Sequence, residues 1–169
     1  MEIVLSEAEE RRCAVLQQMA LDFARNGDIE ALAGMLDAGM SVNLCDDRGN
    51  SLLMLAACND QHDTARVILE RGADVDGRND HGQTPLGVVA FKGYEQLVHL
   101  LLQHGADINA GNVAGMTPIM VAAMSGRTRV VEQLRAHGAS LSSRNKLGIS
   151  AGSIVSASHL VTGLFRKGG

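Results

Sequence analysis

Aromatic side chains are scarce in this sequence, which has one tyrosine, three phenylalanines and no tryptophan. Proteins that bind single-stranded nucleic acid use aromatic rings for base stacking, so the shortage argues against that function. Prolines are also few, at two, whereas glycines number nineteen. Together with 46% hydrophobic residues, this composition is typical of a regular, tightly turned fold. The 169 residues suffice for one domain with a sizeable core.

Only three cysteines are present, Cys13, Cys45 and Cys58, and no two of them form a C-x-x-C pair. This set argues against a disulfide scaffold and for a reducing compartment. The N-terminal sequence MEIVLSEAEERR has a short apolar run followed by acidic residues, unlike a signal peptide. No stretch approaches the length of a membrane span. We therefore expect a cytoplasmic protein without a membrane segment.

Charge is distributed unevenly along the chain, although the net charge is only −4. Residues 1–84 carry 7 basic and 16 acidic side chains, which gives −9, and residues 85–169 carry 8 basic and 3 acidic, which gives +5. On an elongated fold this asymmetry would form a dipole that could steer a partner of opposite polarity. Ordinary solvated surface is the alternative interpretation.

Four series of residues recur at an interval of 33, which is the strongest pattern in the sequence. The series are Gly39, Gly72, Gly105 and Gly138; Gly49, Gly82, Gly115 and Gly148; Gly27, Asp60, Gly93 and Gly126; and Asp46, Asn79, Asn112 and Asn145. Because the series share one period and constant offsets, they predict an array of equivalent units.

One unit can be interpreted from its own residues. Thr84 is a good N-cap and Pro85 fits the first helical position, so residues 86–92 are predicted to form a helix that ends at Gly93. A second helix is predicted over 95–103, with Gly105 as a left-handed stop. Each helix is too short to be stable alone, so neighbouring hairpins must stack and bury each other's apolar faces.

The words T-P-L or T-P-I, A-A and G-A-D recur with this period, and the segments align without gaps. They resemble the ankyrin repeat, in particular small bacterial single-domain ankyrin proteins, over about residues 20–169. The resemblance implies an all-α solenoid of about five stacked helix-turn-helix repeats with degenerate caps. The single domain would comprise an N-terminal cap repeat, 1–43, full repeats 44–76, 77–109 and 110–142, and a truncated C-terminal cap repeat, 143–169.

Stacking predicts which residues form the core and how the N-terminal end is closed. Ser6 and Glu9 form a capping box that opens a longer helix with a polar outer face, in which Cys13 is expected to be buried. The segment 28–37 completes the first pair. The predicted core residues are Leu55, Ala56, Val67, Ile68, Leu69, Val88, Val89, Val98, Leu101 and Leu102.

In the resembled family, partners bind the turn tips and the exposed end of the first helix of each repeat. Carried over residue by residue, this predicts a partner-binding set of Arg25, Arg48, Asn50, Cys58, Asn59, Asp80, His81, Gln83, Phe91, Lys92, Val113, Met116, Met124 and Ser125. The last turn adds Lys146, Leu147 and Ile149. Phe91, Val113, Met116 and Met124 have the profile of an interface centre, and packing of Phe91 on Met124 is the alternative.

The expected function is a non-enzymatic module that binds a partner protein through its concave face and turn tips, without cofactor or metal. It is expected to be a monomer when unbound. The resemblance implies roles such as an inhibitor or immunity protein against a toxin, or a stress-related accessory protein. The residues do not identify the partner.

Two other functions are alternatives to a binding module. A metal- or thiol-dependent enzyme would use Cys45, Cys58 and His62 or His81, but Cys58 and His62 flank a predicted turn and no second pair completes a site. His104 and His137 share one repeat position and are expected to contact helix C-termini. A nucleic-acid binder would use cations that belong to different repeat positions, namely Arg127, Arg129, Arg135, Arg144, Lys146, Arg166 and Lys167.

Overall fold

Helices provide the secondary structure of this chain. The computed structural model describes the backbone of residues 6–165 and the side chains of residues 6–158; residues 1–5 and 166–169, which include Arg166 and Lys167, lie outside the described residues. Within that range there are nine helices and no strand, with isolated bridges at Cys45–Ser51 and Arg144–Ser150. The helices are α1 (Glu7–Asn26), α2 (Ile29–Asp37), α3 (Leu52–Cys58), α4 (His62–Glu70), α5 (Pro85–Lys92), α6 (Glu95–Gln103), α7 (Pro118–Met124), α8 (Thr128–Ala136) and α9 (Ala151–Phe165).

The hairpin predicted around residue 90 is confirmed at both of its helices. Thr84 Oγ1 accepts a hydrogen bond from the Gly87 N–H at 3.2 Å, and Pro85 occupies the first turn of α5. Gly93 ends α5 in the left-handed conformation, with φ of 86°, and its N–H donates to the Val89 carbonyl at 2.8 Å. The fold is therefore the all-α repeat solenoid that the 33-residue period predicted.

The Asx series builds the four turn tips, residues 46–50, 79–83, 112–116 and 145–149. In the second tip, Asn79 Oδ1 accepts from the N–H groups of His81 at 3.1 Å and Gln83 at 3.0 Å. The Asn79 N–H in turn donates to the Gln83 carbonyl at 3.1 Å. The same bonds recur around Asp46, Asn112 and Asn145. A single Asx side chain thus holds each tip closed.

Contacts between Cα atoms divide the chain into two compact units, Met1–Ala73 (unit 1) and Asp74–Gly169 (unit 2). In unit 1, α1 packs on α3 and α2 packs on α4. In unit 2, α5 packs on α7, α7 packs on α9, and α6 packs on α8. Each unit therefore has one row of inner helices and one row of outer helices. The single-domain organisation and the repeat boundaries remain predictions.

Buried side chains follow the expected pattern with two corrections. Leu55, Ala56 and most other predicted core residues are buried, but Val67 and Leu102 are half-buried. On α4 and α6 the buried face is centred on Ile68 and Leu101. Val67 and Leu102 each lie one residue from these positions, on the side opposite to Leu69 and Leu100, which are buried. Because each residue rotates by about 100° around the helix, Val67 and Leu102 fall at the edge of the buried face.

The N-terminal helix α1 is longer than the other inner helices. Glu9 accepts hydrogen bonds from the N–H of Ser6 at 2.8 Å and from its hydroxyl at 2.7 Å, as the capping box predicted. Residues 6–19 are all exposed, and burial begins at Ala20. The prediction that Cys13 is buried is therefore wrong. Cys13 lies in the part of α1 where side chains are not covered by a neighbour.

Side-chain links join neighbouring repeats within unit 2. Both carboxylate oxygens of Asp76 accept the N–H of Asp107 at 3.0 Å, and Asn109 Oδ1 accepts the N–H of Ser140 at 2.9 Å. Burial raises the pKa of Asp76. The N–H of Asp107 opposes this rise, whereas the nearby Asp107 and Asp74 carboxylates add to it. By binding the Asp107 N–H, the Asp76 carboxylate is held in a partly desolvated position where the Asp107 and Asp74 carboxylates repel it.

None of the helices in the described range combines the length and apolarity needed to cross a membrane.

Candidate partner-binding surface

The residues of the predicted partner-binding set lie on turn tips and at the ends of inner helices, and none of them is buried. Six are half-buried, namely Arg25, Asn50, Cys58, Gln83, Met116 and Ser125. The exposed members are Arg48, Asn59, Asp80, His81, Phe91, Lys92, Val113 and Met124. Because each tip is closed by backbone bonds to its Asx side chain, the intervening side chains are presented from a rigid support.

Unit 1 contains a cleft of about 670 Å³ between α1 and the first turn tip. The cleft brings together Arg25, Arg48, Asn50 and Cys58 of the predicted set, whereas Asn59 is not part of its lining. The Asn59 side chain instead donates to the Leu55 carbonyl at 2.8 Å, at the end of α3. Asn59 is thus engaged in ending a helix.

An ionic network crosses the cleft. Arg25 donates to Asp22 at 2.7 Å and to Asp46 at 3.2 Å, which ties α1 to the first turn tip. Burial opposes ionisation of Asp46, but hydrogen bonds from Asn50, the Arg48 backbone and Arg25 outweigh it and lower the pKa of Asp46. The Asp46 carboxylate is therefore a fixed anion, and it compensates part of the Arg25 charge.

In unit 2 the three turn tips are stacked directly on one another. Val113 lies against Gly82, where an added Cβ would come within 2.7 Å of Val113 Cγ1. The Asn145 side chain donates to Met116 Sδ at 3.4 Å, and the Lys146 N–H donates to the Ala114 carbonyl at 3.0 Å. The side chains of these tips therefore share one continuous surface.

The tips and the inner-helix ends of unit 2 expose Phe91, Val113, Met124 and Leu147, which we call the apolar surface of unit 2. Phe91 is 55% exposed, Val113 60% and Met124 69%. Phe91 and Met116 line the same small cavity of about 50 Å³. At the fourth tip Leu147 is 82% exposed. The interface interpretation of Phe91 and Met124, and their packing on each other, both stay predictions.

Exposed apolar residues also occur outside the predicted set. Val15, Leu16 and Met19 of α1 are 59%, 46% and 40% exposed. The signal for them in the sequence was their spacing of i, i+1 and i+4, which places them on one face of α1. The resemblance to full repeats pointed to the tips instead.

The residues of the enzyme alternative are only partly brought together. Cys45 and Cys58 line the same cleft in unit 1, but His62 is not part of its lining, and its Nδ1 lies 3.4 Å from Asp63. His81 is exposed on a tip of unit 2. Among the described residues, no three His, Cys, Asp or Glu side chains converge as a metal site requires.

The two histidines at one repeat position behave as predicted. The Nδ1 atoms of His104 and His137 lie 2.9 and 2.8 Å from the carbonyls of Leu100 and Gln133, near the ends of α6 and α8. Both side chains therefore serve helix C-termini.

Comparison with known proteins places these observations in a family. Residues 20–112 and 78–145 match a family model described as ankyrin repeats (3 copies), which together cover well over half of the chain. No curated protein matches the chain. The matched segments include the tips and inner helices that carry most of the predicted set. Ankyrin repeats are generally protein–protein interaction modules. The chain belongs to the ankyrin-repeat family.

Proposed function

We propose that this chain is a non-enzymatic module that binds a partner protein through its turn tips and inner-helix ends. The observation that carries the proposal is the apolar surface of unit 2. Phe91, Val113 and Met124 are more than half exposed on tips and helix ends that are rigidly held. Large exposed apolar side chains gathered on one surface are typical of interaction sites.

Burial of these side chains would supply useful binding energy. A fully buried Val, Phe or Met gains about 1.5–3 kcal/mol relative to the exposed state, and the three named residues retain more than half of that potential.

The test compares affinity capture by surface variants. Wild-type chain, Phe91→Ala and Met124→Arg are immobilised and exposed to an extract of the native cell. Gln96→Arg, at an exposed position of the outer helix α6, is the matched control. We expect Met124→Arg to lose a partner that wild type and Gln96→Arg retain, while its circular-dichroism melt stays close to that of wild type. A large loss of stability with capture preserved would assign Phe91 and Met124 to the core.

The biological role can be separated once a partner is captured. An inhibitor or immunity protein would suppress the activity of its partner at equimolar ratio, and the Met124→Arg variant would not. A stress-related accessory protein would bind the same surface and leave that activity unchanged.

Cys45 and Cys58 are the one observation that favours a second function, because both thiols line the cleft of unit 1. A thiol-dependent protein would contain at least one cysteine with a strongly lowered pKa. Thiol titration of the purified chain, together with elemental analysis, decides this alternative. Ordinary thiol reactivity and no stoichiometric metal would leave the binding module.

A further inference from the structure

We infer that the segment bound by unit 2 is an acidic, amphipathic segment of the partner protein, an inference that rests on the proposed function. Its apolar side chains would cover the apolar surface of unit 2, and its carboxylates would face Lys92, Arg127 and Lys146. The inference adds the chemistry of the occupant to the location of the site.

The cations of unit 2 are largely uncompensated. In the described part of the chain, Arg129 is the one cation of this unit with a carboxylate within 4.0 Å, at 3.7 Å from Glu95. The others have exposed side chains, and they are Arg78, Lys92, Arg127, Arg135, Arg144 and Lys146. In unit 1, three of the six arginines, Arg11, Arg25 and Arg71, are paired with acidic side chains. In unit 2, Arg78 acts on Asp76 and opposes the rise in its pKa that burial causes, so the cations of this unit without a described carboxylate interaction are Lys92, Arg127, Arg135, Arg144 and Lys146.

Several of these cations border the apolar surface. Lys92 directly follows Phe91 at the end of α5, and Lys146 directly precedes Leu147 in the fourth tip. The Arg127 Nε–H donates to the Phe91 carbonyl at 3.1 Å, which holds its side chain beside the same helix end. That acceptor is a neutral carbonyl, so the guanidinium charge stays available to a carboxylate of the partner.

The turn tips also give the surface a direction. At the residue that follows the Asx position, the three tips of unit 2 carry Asp80, Val113 and Lys146 in turn. Asp80 is the one carboxylate among the tip and inner-helix-end positions of unit 2 in the described range. An acidic segment would therefore place its negative end over the tip that carries Lys146, and a separate carboxylate would face Lys92 at the end of α5.

A protein segment fits this surface better than a nucleic acid. Phosphate groups would satisfy the cations but would leave Phe91, Val113 and Met124 exposed. Among the described side chains of the tips and inner-helix ends of unit 2, Phe91 is the one Phe, Tyr or Trp on which a base could stack. Packed helices lie about 8–10 Å apart, so three tips span roughly 20 Å, which a helical segment of about 14 residues covers.

A displayed peptide library tests the inference even while the partner is unidentified. Peptides of about 16 residues, slightly longer than the surface, vary at every position among Leu, Ala, Ser, Glu and Lys. They are selected on the full-length wild-type chain and then on Phe91→Ala. We expect the peptides that need Phe91 to be rich in Leu and to contain more Glu than Lys.

The tightest such peptide is then labelled with fluorescein and titrated by anisotropy. Reversal of both rim charges in Lys92→Glu with Lys146→Glu should weaken binding about tenfold, because two attractions become repulsions. Arg135→Glu reverses an exposed cation on the outer helix α8 and should change binding by less than about twofold.

The alternative outcomes have different meanings. If no selected peptide depends on Phe91, the proposed docking site itself is refuted. If peptides need Phe91 but are rich in Lys, or ignore the Lys92 and Lys146 reversal, the docking site stands and the acidic occupant is refuted. If a labelled single-stranded oligonucleotide binds through Lys92 and Lys146 independently of Phe91, these cations serve phosphates, and the inference is also refuted.

Discussion

Thr84 and Thr117 occupy the same repeat position, directly before a helix that begins with proline, yet their hydroxyl groups differ. Thr84 Oγ1 accepts the Gly87 N–H at 3.2 Å, whereas Thr117 Oγ1 is buried without a hydrogen-bond partner in the described structure. Both residues are almost completely buried, at 2% and 3% exposure. Replacement by valine keeps the side-chain shape and removes only the hydroxyl, so the two variants form a matched pair.

The two substitutions should have effects of different sign or size. Thr84→Val removes an N-cap bond and leaves the Gly87 N–H without its acceptor, which should lower the free energy of unfolding by about 1 kcal/mol. Thr117→Val removes a desolvated hydroxyl that has no compensating bond, so it should be neutral or stabilise by up to about 1 kcal/mol. The expected difference between the variants is about 1–2 kcal/mol.

Urea unfolding followed by circular dichroism measures this difference directly. In thermal unfolding, 1 kcal/mol corresponds to about 2–4 °C for a chain of this length. Equal losses in Thr84→Val and Thr117→Val would refute the reasoning, because they would mean that the Thr117 hydroxyl also caps its helix. Alanine variants at the same positions would then separate cap loss from packing loss.

Three further predictions concern aspartates. Asp46→Asn should lower the free energy of unfolding by about 1 kcal/mol at neutral pH, because the lowered pKa of Asp46 means that its ionised form stabilises the fold. Urea titrations should show the stability difference between wild type and variant closing as the pH falls through the folded pKa. Asp76→Asn should raise the free energy of unfolding by a few tenths of a kcal/mol at neutral pH. The pKa of Asp76 is raised in the folded state, so its protonated form stabilises the fold and this stability is lost as the pH rises through the folded pKa. In acid, where Asp76 is protonated, the melting temperatures of the variant and wild type should match. Asp60→Gly should raise the melting temperature by a few degrees, because Asp60 adopts φ of 59° where the other repeats have glycine; a lower value would contradict the assigned strain.

Much of the fold could be predicted because the repeat encodes its own boundaries. Thr84, Pro85, Gly93 and Gly105 each act on the few residues around them, so α5 and α6 could be placed from local chemistry. The Asx series likewise specifies a turn through bonds that span four residues.

Features that depend on the absence of a neighbour were harder to predict. Cys13 lies on an amphipathic helix, and its burial was inferred from that pattern, but the helix extends past the residues that could cover it. The sequence also gives no sign that the Thr117 hydroxyl makes no cap bond, because the same Thr-Pro pair at residue 84 does accept the Gly87 N–H.

The candidate surface was predictable in location and less so in chemistry. Alignment of repeats placed Phe91, Val113 and Met124 at positions that are indeed exposed. The cleft of unit 1 and the ion pair between Arg25 and Asp46 depend on the length of α1 and on side-chain geometry. Pairing of charges in three dimensions cannot be obtained from repeat spacing, so the uncompensated cations of unit 2 emerged only from the structure.

The closure of each turn by one Asx side chain has a consequence for change over evolutionary time and for engineering. The acceptor at Asn79 or Asn112 bonds only to backbone N–H groups, so the side chains of the two residues that follow it are not needed to maintain the shape of the turn. The glycine that comes next is needed, because Gly82 and Gly115 adopt φ of 66° and 73°. The contact side chains at these turn positions can therefore be replaced, or copied from one repeat to another, while the turn keeps its shape. A chain built in this way can acquire a different binding preference without having to find a new fold.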